Sequence, residues 1–288
     1  MTRAGVIVAA FGRHYEVELA DGKLATGYPR GKKSVYACGD EVELSPDGQL
    51  LRHAQRRSLL YRSDAYRQKL IAANATQLIL VVATEPGFSD LLLTRALVAA
   101  EHEGLRTLIV LNKCDLAPLR DDARHRLAMF NALGYRVVEL AARQDASPLR
   151  PHLLGETSVL VGQSGMGKST LTNALVPHAA APTREISTAL DAGKHTTTHA
   201  RLYRMTEGAA LIDSPGLQEF GLAHLSAEEI AYGFPEFRPW LGRCRYRDCR
   251  HRSEPDCRIK DAVDAGGIAA RRLEHFHQLI SEGGNGSY

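Results

Sequence analysis

No apolar run in this 288-residue chain approaches the roughly 18 residues that a helical membrane span needs, so membrane-spanning helices are excluded. Cysteine is scarce and odd in number: five residues, three of them crowded between positions 244 and 257. That clustering argues against a disulfide framework and for a metal site. An excess of charge of either sign is missing too. The net charge is only +3, so the molecule as a whole is not an electrostatic trap for nucleic acid. There is no internal repeat, which removes solenoids and propellers. Met1-Thr2-Arg3 leads straight into strand-like sequence without a secretory pattern, and retention in the cytoplasm, away from membranes, is the expectation. What remains is a globular composition, 44% apolar and 24% charged, long enough for two or three domains.

Residues 1–57 are rich in short strands. Gly5-Val6-Ile7-Val8, Tyr15-Glu16-Val17-Glu18-Leu19 and Asp40-Glu41-Val42-Glu43-Leu44 are separated by turn signals at Gly12, Asp21-Gly22 and Pro46-Asp47-Gly48. A small β-barrel of the OB type is expected. Residues 58–220 alternate buried strands with helices. Leu78-Ile79-Leu80-Val81-Val82-Ala83, Thr107-Leu108-Ile109-Val110-Leu111, Arg136-Val137-Val138-Glu139-Leu140, Ser158-Val159-Leu160-Val161 and Ala209-Ala210-Leu211-Ile212 read as strands, and 90–103, 121–133 and the stretch after Lys168 as helices. Continuous apolar strands between helices mean an α/β sheet, mostly parallel and covered on both faces. Residues 221–288 lose the strand signal, carry a capping-box pattern at Ser226-Ala227-Glu228-Glu229 and end in a helix over 269–281.

Three motifs lie where the predicted strands of the middle region end, the usual place for ligands in such folds. Gly162-Gln163-Ser164-Gly165-Met166-Gly167-Lys168-Ser169-Thr170 is a phosphate-binding loop between a strand and a helix. Its glycines let backbone N–H groups close around phosphate oxygens, Lys168 reaches the β/γ-phosphates and Ser169 ligates Mg²⁺. Asn112-Lys113-Cys114-Asp115 reads as N-K-x-D. The Asp115 carboxylate can accept from the two donors of a guanine edge, which adenine lacks, while Asn112 and Lys113 brace the base and its loop. Asp213-Ser214-Pro215-Gly216 reads as D-x-x-G, with Asp213 holding a Mg²⁺-bound water and the Gly216 N–H facing the γ-phosphate. The next residue is Leu217, which cannot orient a water molecule as the glutamine of many GTPases does. Gly193-Lys194-His195-Thr196-Thr197-Thr198-His199 occupies the place of a first switch. Thr198 is the candidate Mg²⁺ ligand, with Thr197 second, and His195 or His199 the candidate to position water, His195 preferred. In an ordinary G domain the phosphate loop precedes D-x-x-G and N-K-x-D. Here N-K-x-D comes first, a circular permutation of the α/β P-loop GTPase domain.

Cys244, Cys249, His251 and Cys257 supply three thiolates and one imidazole, a closed tetrahedral set for one structural Zn²⁺. They sit in a basic stretch, 238–260, with eight Lys/Arg against three acids. Arg245, Arg247 and Arg250 there, and Arg30, Lys32 and Lys33 in the barrel loop Tyr28-Pro29-Arg30-Gly31-Lys32-Lys33, are candidate RNA contacts. Cys38 and Cys114 are left as plain thiols.

Together the permuted motifs, the Gly-Lys-His-Thr-Thr-Thr run, the Cys-Cys-His-Cys pattern and the N-terminal barrel resemble the bacterial small-ribosomal-subunit-dependent GTPases often called RsgA. The resemblance covers nearly the whole chain. It implies an OB barrel, a permuted G domain and a zinc-binding, mainly helical domain. It also implies binding to the 30S subunit and its 16S rRNA late in assembly, with GTP hydrolysis to GDP stimulated by that particle; a monomer is expected. The family's guanine-side loop usually carries Ser-Ala, whereas this chain has Ala141-Ala142-Arg143, leaving backbone groups to serve there. Three other readings share these residues: a regulatory GTPase that binds nucleic acid but is not dedicated to the ribosome, a plain nucleotide hydrolase, and a nucleic-acid-binding module that uses nucleotide only as a structural ligand.

Overall fold

The computed structural model describes residues 2–31, 35–63, 68–177, 179, 199–214 and 221–283. Its first five strands are β1 (Arg3–Ala10), β2 (Tyr15–Leu19), β3 (Leu24–Gly27), β4 (Glu41–Leu44) and β5 (Leu50–His53). Of these, β2 and β4 alternate in burial, while β1 buries Ile7, Val8 and Ala9 in succession. The inward residues Ile7, Tyr15, Val17, Val42, Leu44 and Leu50 pack with Tyr36 into a small core of their own. β1 pairs with both β2 and β4, β2 with β3, and β4 with β5, all antiparallel. A bridge from Tyr28 to Gln49 joins β3 to β5 and closes the ring, giving the OB-type barrel. β3 and β5 were not legible in the sequence. β3 (Leu24-Ala25-Thr26-Gly27) ends on a glycine and β5 (Leu50-Leu51-Arg52-His53) begins with two adjacent leucines, so neither shows the alternation that makes the equally short β4 legible.

A hairpin, β6 (Leu59–Ser63) and β7 (Gln68–Ala73), leads into the central sheet. β8 (Gln77–Ala83) is buried at all seven positions, because helices cover both of its faces. There follow α1 (Asp90–His102), β9 (Arg106–Asn112), α2 (Ala117–Ala132), β10 (Arg136–Glu139), β11 (Thr157–Gly162), α3 (Lys168–Leu175), β12 (Arg201–Arg204) and β13 (Ala210–Asp213). Helix α2 starts four residues before the predicted 121. Pro118 lies in its first turn, where the missing N–H costs nothing.

The order β10-β9-β8-β11-β13-β12 is parallel except for β12. The chain runs outward from β8 to the edge at β10, then returns through a 3₁₀ segment, Ser147–His152, to place β11 beside β8. β8, β9, β11 and β13 all point the same way, so their C-terminal ends share one edge. The permuted motif order therefore still delivers one cluster of loops. β12 also meets β1 at Ala9–Arg201, so barrel and central sheet form one continuous ladder of 11 strands among the described residues.

The C-terminal region is helical: α4 (Ala227–Tyr232), a 3₁₀ segment Pro235–Trp240, α5 (Arg258–Asp264) and α6 (Ala270–Gly283). Ser226 and Glu229 form the full capping box at the start of α4. Phe234, Phe237 and Phe276 pack ring against ring beneath it. The Arg272 guanidinium, 1% exposed, donates to Glu236 at 2.5 Å and to the Thr94 hydroxyl at 2.9 Å. That buried charge is paired on both sides, and it ties α6 to α1. No helix among the described residues is long and apolar enough to cross a membrane.

Candidate functional site

The phosphate-loop motif occupies the turn from β11 into α3. Gly162 is dictated by packing as well as by ligand access: a Cβ there would stand 2.4 Å from the Val81 carbonyl oxygen. Gly165 and Gly167 hold φ of +82° and +92°, left-handed values that favour glycine. Gly167 caps α3, whose N-terminus presents free N–H groups and the positive end of the helix dipole. Lys168 Nζ donates to the carbonyls of Gly162 at 2.6 Å and Gln163 at 3.1 Å. The Gln163 side chain accepts from Ser89 N–H at 2.8 Å, linking the loop to the start of α1. Ser164 is exposed, while Ser169 and Thr170 are half-buried at the start of α3.

Asn112, the last residue of β9, is 2% exposed and joins three loops. Its Nδ2 donates to the Met166 carbonyl at 2.9 Å, and its Oδ1 accepts from Lys113 N–H at 2.8 Å and Ala142 N–H at 2.9 Å. The base-side loop and the phosphate loop thus share one side chain, although 54 residues separate Asn112 from Met166. The Ala142 N–H, a backbone group left to serve in place of the Ser-Ala pattern, is directed at Asn112. Lys113 has φ +61°, a left-handed conformation that costs a non-glycine residue energy. It is held there by Asn112 Oδ1, by the Thr84 hydroxyl donating to its carbonyl at 3.0 Å, and by its own Nζ donating to the Glu85 carbonyl at 2.6 Å. Thr84 and Glu85 escaped the sequence reading. Their only signal is their place at the end of a buried strand. Asp115 is exposed, so its carboxylate is solvated until a base covers it. Discrimination against adenine therefore has to come from the base covering it.

Asp213 ends β13 and is 2% exposed. Its Oδ2 is buried beside the Thr172 hydroxyl of α3, and neither has a further hydrogen-bond partner among the described residues. Burial raises the Asp213 carboxyl to about 6, against the pull of Lys168. Burial likewise lowers the Lys168 ammonium, against the pull of Asp213. A buried carboxylate oxygen beside a phosphate loop, with only a hydroxyl next to it, fits the place of a water carried by Mg²⁺, a hard cation that prefers oxygen.

The four C-terminal ligand candidates come together, with donor atoms all within 4.8 Å of one another. The Cys244 and Cys257 sulfurs are 3.9 Å apart, and His251 Nδ1 lies 3.6, 3.5 and 3.3 Å from the sulfurs of Cys244, Cys249 and Cys257. A tetrahedron with metal–sulfur bonds of about 2.3 Å and a metal–nitrogen bond of about 2.0 Å has edges of about 3.8 and 3.5 Å. The set is therefore already spaced for a tetrahedral ion. His251 has φ +61°, and His277 Nε2 lies 3.0 Å from its carbonyl oxygen. Burial pushes the Cys249 thiol up to about 12, a cost that a bound cation would cancel. Cys38 and Cys114 stand apart from this cluster.

Of the basic candidates, Arg30 is exposed and donates to Gln49 at 3.2 Å. Arg245 pairs with Asp256 at 3.0 Å, the Arg250 N–H is held by Glu254, and Arg247 is exposed. Lys32, Lys33, His195, Thr197, Thr198, Gly216 and Leu217 lie outside the described residues.

The chain as a whole has counterparts among known proteins. Over the full length of both chains, the solved structure of YjeQ from Thermotoga maritima superposes with a TM-score of 0.75 at 29% identity. That of YloQ, described as a circularly permuted GTPase, gives 0.71 at 27% identity, covering 100% of this chain and 97% of that one. A protein of Nitrosospira multiformis named small ribosomal subunit biogenesis GTPase RsgA is 53% identical over 281 residues, covering 96% of this chain and 90% of that one. Its namesake in Nitrosomonas europaea is 50% identical over 283 residues, with the same coverage. The family model RsgA GTPase matches residues 53–223, the stretch from the barrel's exit through all three motifs, and the chain belongs to that family.

Proposed function

We propose that this chain is a GTPase of small-ribosomal-subunit biogenesis, binding the 30S particle late in its assembly and hydrolysing GTP to GDP under that particle's stimulation. The observation that carries the reading is the Asn112–Met166 hydrogen bond, by which a base-side loop and a phosphate loop from distant parts of a permuted chain form one site. The names of the relatives at about 50% identity support the choice of particle.

In this reading Asp115 accepts from the guanine edge, Asn112 and Lys113 hold that loop, and the backbone of residues 162–167 with Lys168, Ser169 and Thr170 binds the phosphates. The Gly216 N–H faces the γ-phosphate. Mg²⁺ held by Ser169, Thr198 and, through water, Asp213 would neutralise charge on the β/γ oxygens. The family resemblance and the tetrahedral spacing of Cys244, Cys249, His251 and Cys257 support one structural Zn²⁺. Arg30, Lys32 and Lys33 at the barrel and Arg245, Arg247 and Arg250 beside the metal centre contact 16S rRNA. The chain divides at 57/58 and 220/221 into barrel, G domain and metal-binding unit, and works as a cytoplasmic monomer.

The test is GTP turnover with and without purified 30S subunits. A rise of tenfold or more is expected. Equal turnover in both would leave a plain hydrolase. Absence of turnover even with the particle would leave a nucleic-acid-binding module that uses nucleotide structurally.

A further inference from the structure

The barrel is wired into the end of the first switch motif. His199 closes the run Gly-Lys-His-Thr-Thr-Thr-His, and the strand after it, β12, is the one that pairs with the barrel. Ala10 N–H donates to the Ala200 carbonyl at 3.3 Å, and Ala9 sits opposite Arg201. Two ion pairs flank the seam, Arg201 with Glu16 at 3.0 Å and Arg204 with Glu18 at 2.9 Å.

At the tip of the β1–β2 hairpin the contact turns aromatic. Phe11-Gly12-Arg13-His14 forms a tight turn in which Phe11 N–H donates to the His14 carbonyl at 3.0 Å. Gly12 has φ +82°, which favours a residue without a Cβ. The turn stacks the Phe11 and His14 rings at 4.8 Å, 16° from parallel. The His199 ring lies against Phe11 at 5.2 Å, tilted by 47°. Arg13, at the apex, is exposed. One four-residue turn therefore offers a cation outward and an aromatic surface inward, onto the last residue of the switch motif.

We infer that Phe11, stacked on His14, is a positioning residue for GTP hydrolysis, acting through the ring of His199, the last residue of the first-switch motif. The inference rests on the proposed function for its physiological trigger, because a particle that grips the barrel would act on the switch through this turn. Among the described residues the ring contacts of Phe11 are with His14 and His199, neither of them a nucleotide-binding candidate. Loss of Phe11 should therefore act on turnover and not on binding.

The experiment compares wild type with Phe11→Ala and Phe11→Trp, measuring kcat and KM for GTP with saturating 30S, co-sedimentation with 30S, and thermal melting. Phe11→Ala is expected to lower the stimulated kcat at least tenfold with KM and co-sedimentation within twofold of wild type. Phe11→Trp, which keeps an aromatic face, is expected to recover at least half of the rate. A stimulated kcat within twofold of wild type in Phe11→Ala, or a loss that follows loss of 30S binding or of melting temperature, overturns the inference. If wild type itself is not stimulated, the functional reading fails instead. The intrinsic single-turnover rate then decides the role of Phe11: a fall of threefold or more in Phe11→Ala upholds it, and an unchanged rate overturns it.

Discussion

Asn112 Nδ2 lies 2.9 Å from the Met166 carbonyl oxygen and 2.3 Å from the point where a Cβ on Gly167 would stand. The glycine of the phosphate loop is thus required by a side chain of the base-side loop as well as by its own φ of +92°. Gly167→Ala should displace Asn112, freeing its three hydrogen bonds and straining the loop together. Left-handed strain of about 1–3 kcal/mol and a buried polar group unsatisfied at about 1–3 kcal/mol predict a fall in GTP affinity of roughly a hundredfold. Asn112→Ala should cost a similar amount, and the double variant less than the sum, because the clash and the lost hydrogen bonds share a partner. Titration with a fluorescent GTP analogue measures all three. Affinity within threefold of wild type in Gly167→Ala would sink the steric argument.

Motif order and strand ends were legible in the sequence because the central strands are uniformly apolar and the motifs follow them directly. The brace was not. Thr84 and Glu85 hold Lys113 through a hydroxyl and a backbone carbonyl, and neither residue type carries a pattern in one dimension. The β1–β12 seam was also hidden, since Ala9 and Arg201 stand 192 positions apart and the pairing is backbone geometry. The cysteine–histidine set was fully legible because ligand types are rare and lay within one short stretch.

Asp115 should govern the choice between guanine and adenine. The residue is exposed, so it costs nothing to leave unpaired until a base covers it. A covered carboxylate facing guanine gains two charge-assisted hydrogen bonds; facing adenine it is desolvated without them. Asp115→Ala should erode GTP-over-ATP selectivity by about a hundredfold or more, mostly through weaker GTP binding. Competition of ATP against labelled GTP reads this directly, and unchanged selectivity would rule the assignment out.

The tetrahedral spacing at Cys244, Cys249, His251 and Cys257 predicts about one Zn²⁺ per purified chain, since four ligands close a single site. Binding free energy at such a site is folding free energy, so stripping the ion with a strong chelator should lower the melting temperature by about 5 °C or more. Re-addition of Zn²⁺ should restore it. Elemental analysis of a Cys249→Ala/Cys257→Ala double variant that still found full occupancy would contradict the ligand set.

His275 gives the fold an acid-sensitive seam. Its ring is 5% exposed, with Nδ1 2.9 Å from the Thr94 hydroxyl. Burial first, then the Arg272 and Arg271 charges, hold it down at about 4, with Asp90 opposing. An imidazole lowered from its unfolded value near 6.5 binds fewer protons when folded. Its contribution is thus complete above about pH 6.5 and is lost as pH falls toward 4. Between pH 7 and pH 5 that amounts to about 2 kcal/mol from this one group. His275→Gln keeps a hydrogen-bonding partner for Thr94 without titrating, so its urea midpoint should fall less over the same interval. Equal losses in wild type and variant would remove His275 as the source.

Nucleotide affinity and turnover should separate at His195. Leu217 has no hydrogen-bonding side-chain atom and cannot orient the attacking water, so another residue of the switch motif must. Of its two histidines, His199 has its ring against Phe11 of the barrel, and His195 is the candidate proposed to position the water. His195→Ala should keep GTP affinity within threefold and lose about a hundredfold of the 30S-stimulated rate, the scale of a lost proton-transfer or water-orienting group. Lys168→Ala should lose nucleotide binding itself, because in the proposed reading this ammonium would contact phosphate in both ground and transition states. His199→Phe is the control: it keeps an aromatic ring against Phe11 and removes the imidazole. If His199→Phe abolishes stimulation while His195→Ala does not, water is positioned by His199. If both variants are stimulated normally, no histidine of this motif orients the water, and the particle must supply the group itself.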